Sequence, residues 1–225
     1  MPHMSVPDAI PAATVVLLRD GDGGLETLML HRSSQVAFGG MWVFPGGRVD
    51  PEDHRPDDHD DVAPARRAAA REAVEECGLV VEADSLVTLS HWTPPAMTPR
   101  RYATWFFVAR AGGGDVLVDG GEIHDHAWLS PAEVLRRRDR GEVDLAPPTY
   151  VTLADLAAHD DVEGVLADAA RRQPPPRFAT RWAAVEGGAV ALWEGDAGYR
   201  SEDPLAPGPR HRLWMLEQGW RYERS

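Results

Sequence analysis

The run Arg71-Glu72-Ala73-Val74-Glu75-Glu76-Cys77-Gly78-Leu79 constrains this chain more than any other stretch. Three glutamates and an arginine fill four of six consecutive positions, and a glycine follows shortly after. Ala65 to Cys77 contains neither glycine nor proline, so the spacing predicts a helix that Gly78 stops. On such a helix Glu72 and Glu76 are i,i+4 neighbours, and Glu75 lies three positions beyond Glu72 on the same side. Like charges at those spacings destabilise a bare helix by roughly 0.2–0.5 kcal/mol per pair. A cluster that costs stability points to a ligand, and an oxygen-only set suits a hard divalent cation such as Mg²⁺. The competing explanation is a surface helix with one charged face.

Composition narrows the partners. Thirty-six acids against 23 bases give a net charge of −13, which argues against non-specific binding to nucleic acid or to an anionic membrane. An anionic small molecule remains compatible, because a bound cation reverses the local sign. The single Cys77 excludes an intramolecular disulfide and fits a reducing compartment. No run approaches the roughly 18 apolar residues of a membrane span, and no signal peptide is evident at the N-terminus. The expected location is cytoplasmic.

The segment 1–11 is expected to be loosely ordered. Ala12 to Leu18 and Leu25 to His31 read as two strands around a Gly/Asp turn, a hairpin. Met41 to Phe44 reads as a short strand stopped by Pro45-Gly46-Gly47, whose glycines let a backbone approach a helix and a ligand closely. Asp50 to Asp61 holds seven acids and two prolines and reads as a solvated insertion. Val80 to His91 reads as one or two strands, and Tyr102 to Arg110 is the strongest strand by composition. Val116 to Val118 and Ala127 to Leu129 bracket a loop containing Glu122, and Ser130-Pro131 opens a helix. Two helices (149–158 and 162–172), a Pro174-Pro175-Pro176 linker and short strands over 182–186, 190–193 and 212–216 complete the chain.

Arg71-Glu72, Glu75-Glu76, Gly78 and Leu79, with Gly47 upstream, resemble the Nudix box, G-x5-E-x7-R-E-U-x-E-E-x-G-U with U a bulky aliphatic. Ala73 is a small stand-in at the first U. The two halves stand about ten residues too far apart, and counting back from Arg71 puts Ala63 where the pattern has a glutamate, with Asp60 and Asp61 the nearest acids. The resemblance implies an α+β fold, a Nudix-type α/β/α sandwich around a central mixed sheet, over residues 12–150, with 151–225 a C-terminal helical and β extension packed on the core.

The same resemblance implies hydrolysis of a diphosphate linkage with Mg²⁺ or Mn²⁺. Glu72, Glu75 and Glu76 would hold the metal and Arg71 would orient the carboxylates. Glu72 is one candidate for the general base and Glu122, outside the box, is another. Gly46, Gly47, Arg32, Arg100 and Arg101 are candidate phosphate or nucleotide contacts, since guanidinium forks suit diphosphate oxygens. His54 and His59 are read as solvated loop residues, and Trp42 and Trp105 as candidate borders of a base-stacking pocket. Leu30-His31-Arg32-Ser33 and Phe44-Pro45-Gly46-Gly47-Arg48-Val49-Asp50 are similar to coenzyme A-directed members, although Val36, Ala37 and Phe38 stand where those carry basic residues and histidine. ADP-ribose or another nucleoside-diphosphate sugar is the competing substrate class, marked by Pro94. A non-catalytic Nudix-fold binding or regulatory module is the third reading. Homodimers are common among relatives, which makes a homodimer an expectation by analogy.

Overall fold

A computed structural model of the protein describes residues 9–34 and 39–225. The segment 1–8 and Val36, Ala37 and Phe38 lie outside the described residues. In chain order the elements begin with strands β1 (Ile10–Gly21), β2 (Gly24–Arg32), β3 (Trp42–Val43) and β4 (Gly46–Arg48), then helix α1 (Val62–Cys77). Strands β5 (Val87–Thr93), β6 (Tyr102–Arg110) and β7 (Ile123–Leu129) follow, then helices α2 (Pro131–Asp139), α3 (Pro147–Leu156) and α4 (Val162–Arg171). The chain ends in β8 (Arg177–Ala179), β9 (Arg181–Val185), β10 (Gly188–Leu192), β11 (His211–Leu216) and β12 (Gly219–Arg224).

The chain forms two compact units. The larger gathers Ala12–Ser90 and Trp105–Pro176. Its sheet is ordered β3-β2-β1-β6-β5, with β4 pairing to β1 and β7 to β2. β1 and β2 form the expected hairpin, with Gly21 opposite Gly24. β1 starts at Ile10, so residues 10 and 11 are strand rather than loose chain. β1, β2 and β6 alternate between two buried faces, as strands covered on both sides do. On one face Ala13, Val15, Leu17, Leu28, Leu30 and Phe107 meet Ala65, Ala68, Ala69 and Ala73 of α1. Those small side chains let α1 lie close to the sheet, and their 3–4-residue spacing makes one apolar stripe. Gly78, at φ 71°, ends the helix in the left-handed conformation a glycine adopts without a Cβ clash.

Elsewhere the local reading and the structure part. β7 begins at Ile123 rather than Ala127, directly after the loop that holds Glu122. Val116 to Val118 form no strand: Val116 and Val118 pack as partly buried cover on the core while Leu117 is exposed. Val80 to Leu86 contains one 3-10 turn, Ala83–Ser85, and only β5 is strand there. The acidic insertion is not wholly solvated. Asp53 is buried and Asp58 half-buried.

The smaller unit gathers His91–Thr104 and Arg177–Ser225 with residues 9–11. There the end of β5 runs parallel to β8, with Trp92 opposite Phe178. The two rings stack at 3.8 Å, and Trp193 meets both edge-on. β9 to β12 make a four-stranded antiparallel sheet in the order β12-β11-β10-β9. Arg212 of β11 and Asp196 form a fully buried ion pair, Nη2 to Oδ1 at 2.6 Å and Nε to Oδ2 at 2.7 Å. Among the described residues no helix is long and apolar enough to cross a membrane.

Candidate active site

The site is built where the apolar stripe of α1 runs out. Glu76 follows Ala69 and Ala73 on the buried side, so its carboxylate is carried to the core edge at 5% exposure. Burying a carboxylate demands donors. The backbone N–H of Gly46 donates to Oε2 at 2.9 Å and Arg32 Nη1 donates to Oε1 at 3.2 Å. Burial dominates and pushes the Glu76 carboxyl up to about 7, against the lowering effect of those two donors. Glu72, one turn earlier, is also raised by burial, opposed by its hydrogen bond from Arg71.

The glycine turn is shaped by this helix. A Cβ on Gly47 would lie 2.2 Å from a Glu72 carboxylate oxygen, and one on Gly46 would lie 2.5 Å from the Ala13 carbonyl oxygen. β4 passes between β1 and the glutamates because these two residues have no side chains.

Arg71 distributes its donors over four partners. Nη1 donates to Glu72 Oε1 at 2.9 Å and to Glu75 Oε2 at 3.1 Å. Nη2 donates to Asp53 Oδ2 at 2.9 Å and to the Arg48 carbonyl at 3.0 Å, and Nε reaches Asp53 Oδ1 at 3.3 Å. The Asp53 bond is the chief reason its basicity is raised. Glu75 is exposed at its tip.

Asp53 is the site residue that counting from Arg71 misses. Counting forward from Gly47, the acid of the G-x5-E half falls on Asp53, and the extra residues lie between it and Arg71. Ala63 faces no such role. Asp60 instead accepts the Val62 and Ala63 N–H groups at the start of α1, and Asp61 accepts Trp105 Nε1 at 3.2 Å. Trp105 is buried core, and Trp42 stacks on His31 at 5.2 Å.

Glu122 is brought to the same cluster from the other side. Asp119 accepts the N–H groups of Glu122 and Ile123, closing the loop ahead of β7, and the Glu122 carbonyl accepts Ser33 N–H at 2.7 Å. Its side chain is 56% exposed, and Oε2 accepts Arg32 Nη2 at 2.6 Å. One guanidinium thus spans a buried and an exposed glutamate. Arg71, Glu72, Glu75, Glu76, Gly46, Gly47, Arg32 and Glu122 all belong to the larger unit. Arg100 and Arg101 belong to the smaller one. Arg100 is exposed, and Arg101 donates to the Pro94 carbonyl at 3.3 Å. His54 and His59 are exposed.

Among the described residues no three His, Cys, Asp or Glu side chains meet closely enough to form a finished metal cage. The donor set still fits Mg²⁺, which is commonly bound through one or two carboxylates plus substrate phosphates rather than by an all-protein cage. Glu72, Glu75 and Glu76 supply hard oxygens on one helix end, and a glycine turn leaves their approach uncrowded by side chains.

The family model of the NUDIX domain matches residues 9–149. Among solved structures, a NUDIX hydrolase from Alicyclobacillus acidocaldarius is 25% identical and superposes with a TM-score of 0.61, covering 71% of this chain and 96% of that one. The NUDIX domain of Shewanella oneidensis NrtR, complexed with ADP ribose, is 20% identical with a TM-score of 0.51, covering 68% of this chain and 88% of that one. A MutT NUDIX hydrolase from Burkholderia pseudomallei is 21% identical at 0.50, covering 66% and 98%. No curated protein matches the chain. With the family model spanning more than half its length and the α+β fold in place, this chain belongs to the NUDIX family and is a pyrophosphohydrolase.

Proposed function

We propose that the chain hydrolyses a diphosphate linkage in a nucleoside-diphosphate derivative, with coenzyme A or acyl-coenzyme A preferred, using Mg²⁺ or Mn²⁺ held by Glu72, Glu75 and Glu76. The observation that carries the reaction is that Glu72 and Glu76 face the Gly46-Gly47 turn, while Arg71 holds Glu72 and Glu75 and Arg32 holds Glu76. A bound divalent ion supplies charge neutralisation on the diphosphate and makes water a nucleophile near neutral pH. The protein's own part is positioning. Arg71 fixes Glu72 and Glu75, and Gly46 N–H fixes Glu76. Glu122, exposed and held by Arg32, is the candidate to take a proton from water, with Glu72 the other.

The substrate choice rests on Arg32-Ser33 at the end of β2 and on Phe44-Pro45-Gly46-Gly47-Arg48-Val49-Asp50, which are similar to coenzyme A-directed members. ADP-ribose is the second reading, motivated by Pro94 in the loop beyond β5. We assign the catalytic domain to residues 12–150 and treat 151–225 as an extension.

Two measurements test this. Turnover of coenzyme A, acyl-coenzyme A, ADP-ribose, NADH, Ap4A and dNTPs with each metal ranks the substrates; faster ADP-ribose than coenzyme A cleavage sinks the coenzyme A preference. Silence across the whole panel favours a binding module. Glu76→Gln is expected to lower turnover of every accepted substrate by roughly a hundredfold, and unchanged turnover removes Glu76 from the metal site.

A further inference from the structure

The inserted segment between Asp53 and Arg71 separates two halves of one site, yet Asp53 arrives at Arg71 buried to 6% side-chain exposure. Its route is fixed by a second arginine one helical turn before Arg71. Arg67 Nε donates to the Asp53 carbonyl at 2.6 Å, and Nη2 donates to both Asp58 oxygens, at 2.6 and 2.5 Å. Both partners are largely buried, at 19% and 13% side-chain exposure.

Two tight turns complete the strap. Asp50 N–H donates to Asp53 Oδ2, and Arg55 N–H donates to Asp58 Oδ2 while Asp58 N–H returns to the Arg55 carbonyl. Those contacts hold Asp58 below the usual carboxylate range, first through Arg55 N–H and then through Arg67. Beyond Asp58 only residues 59–61 remain before α1 begins. A long insertion is thereby reduced to a short link. The entropy that a free segment would lose on docking is spread over contacts that α1 already carries.

We propose that Arg67 is a positioning residue for the reaction. Its grip on Asp58 and on the Asp53 backbone keeps the Asp53 carboxylate on Arg71, and Arg71 in turn aims Glu72 and Glu75. Arg67, Arg71 and Glu75 form one i,i+4,i+8 stripe of α1, so the strap and the glutamates share a rigid element. The proposal rests on the metal-dependent reading given above.

Its test is Mn²⁺ binding without substrate, followed by electron paramagnetic resonance, together with kcat and KM. The proteins compared are wild type, Arg67→Ala, Arg67→Lys, Asp53→Asn, the double variant Arg67→Ala/Asp53→Asn, and Arg140→Ala. The last removes the same charge from an exposed pair with Glu142. Arg67→Ala is expected to weaken Mn²⁺ roughly threefold to tenfold and to lower kcat more than it changes KM. Arg67→Lys should recover part of the loss, and the double variant should be little worse than Asp53→Asn alone. Thermal melts identify any variant that does not fold. If Arg67→Ala is one, Asp58→Asn carries the same comparison. Losses no larger than in Arg140→Ala, or losses that multiply in the double variant, overturn the proposal. Wild-type protein that takes up no Mn²⁺ overturns the metal reading and this proposal with it, whereas intact Mn²⁺ uptake indifferent to Arg67 overturns the strap alone.

Discussion

Burying Glu76 to 5% exposure with one N–H and one guanidinium as company leaves a carboxylate poised to change charge near neutrality. Its folded-state value of about 7 lies above the ordinary 4.5, so between those values the folded chain holds a proton that the unfolded chain has released. The stability this group contributes is therefore complete at low pH and lost as pH rises through about 7. In EDTA, the melting temperature of wild type should fall more between pH 5 and 8 than that of Glu76→Gln, which keeps a neutral side chain. Parallel pH slopes would remove burial as the cause. A divalent ion competes with the same proton, so its affinity should rise across that interval. Residue-level legibility was uneven for a physical reason. Helical spacing alone puts Glu72, Glu75 and Glu76 on one side of α1. Asp53 lies among seven acids of a proline-containing segment, and nothing local distinguishes the one that becomes buried.

At the scale of elements, β4 and α1 constrain each other through the two glycines, and their substitutions should fail differently. A Cβ at Gly46 meets the Ala13 backbone at 2.5 Å, which cannot retreat without disturbing β1. Gly46→Ala should cost about 1–3 kcal/mol of stability, read as a lowered denaturation midpoint. At Gly47 the obstacle is the tip of the Glu72 side chain, which can swing away. Gly47→Ala should keep most of the stability and lose activity, because the displaced carboxylate leaves Arg71 Nη1. Equal melting losses for the two variants would contradict the distinction. β4 is invisible as a strand in the sequence because Gly-Gly-Arg offers no alternating side chains. β7 is hidden in part because His124-Asp125-His126 reads as loop, and pairing with β2 is what makes it strand. α1, β1, β2 and β6 are legible because their own side chains carry the period of the element.

On the scale of the whole chain, the smaller unit draws on segments more than seventy residues apart, His91–Thr104 and Arg177–Ser225. Composition shifts and linkers report boundaries along the chain, so a unit assembled by long-range pairing leaves no such mark. Trp92 belongs there because its ring stacks on Phe178, not because of its neighbours in sequence. That unit hides an ion pair whose members are 1% and 0% exposed, with Asp196 also accepting N–H from His211 and Gly198. Burial alone would raise the Asp196 carboxyl, but Arg212 and those two N–H groups outweigh it and hold it below its ordinary value. Such a pair contributes little over a well-packed apolar substitute, yet removing one member strands the other charge. Asp196→Leu should therefore cost about 3–5 kcal/mol in urea unfolding, and Asp196→Leu/Arg212→Met should regain much of it. Arg212 also donates to the Pro204 carbonyl, a bond the double variant gives up, so recovery should stay incomplete. A double variant as unstable as Asp196→Leu would mean that the pair itself, rather than the stranded arginine, carries the stability of the four-stranded sheet.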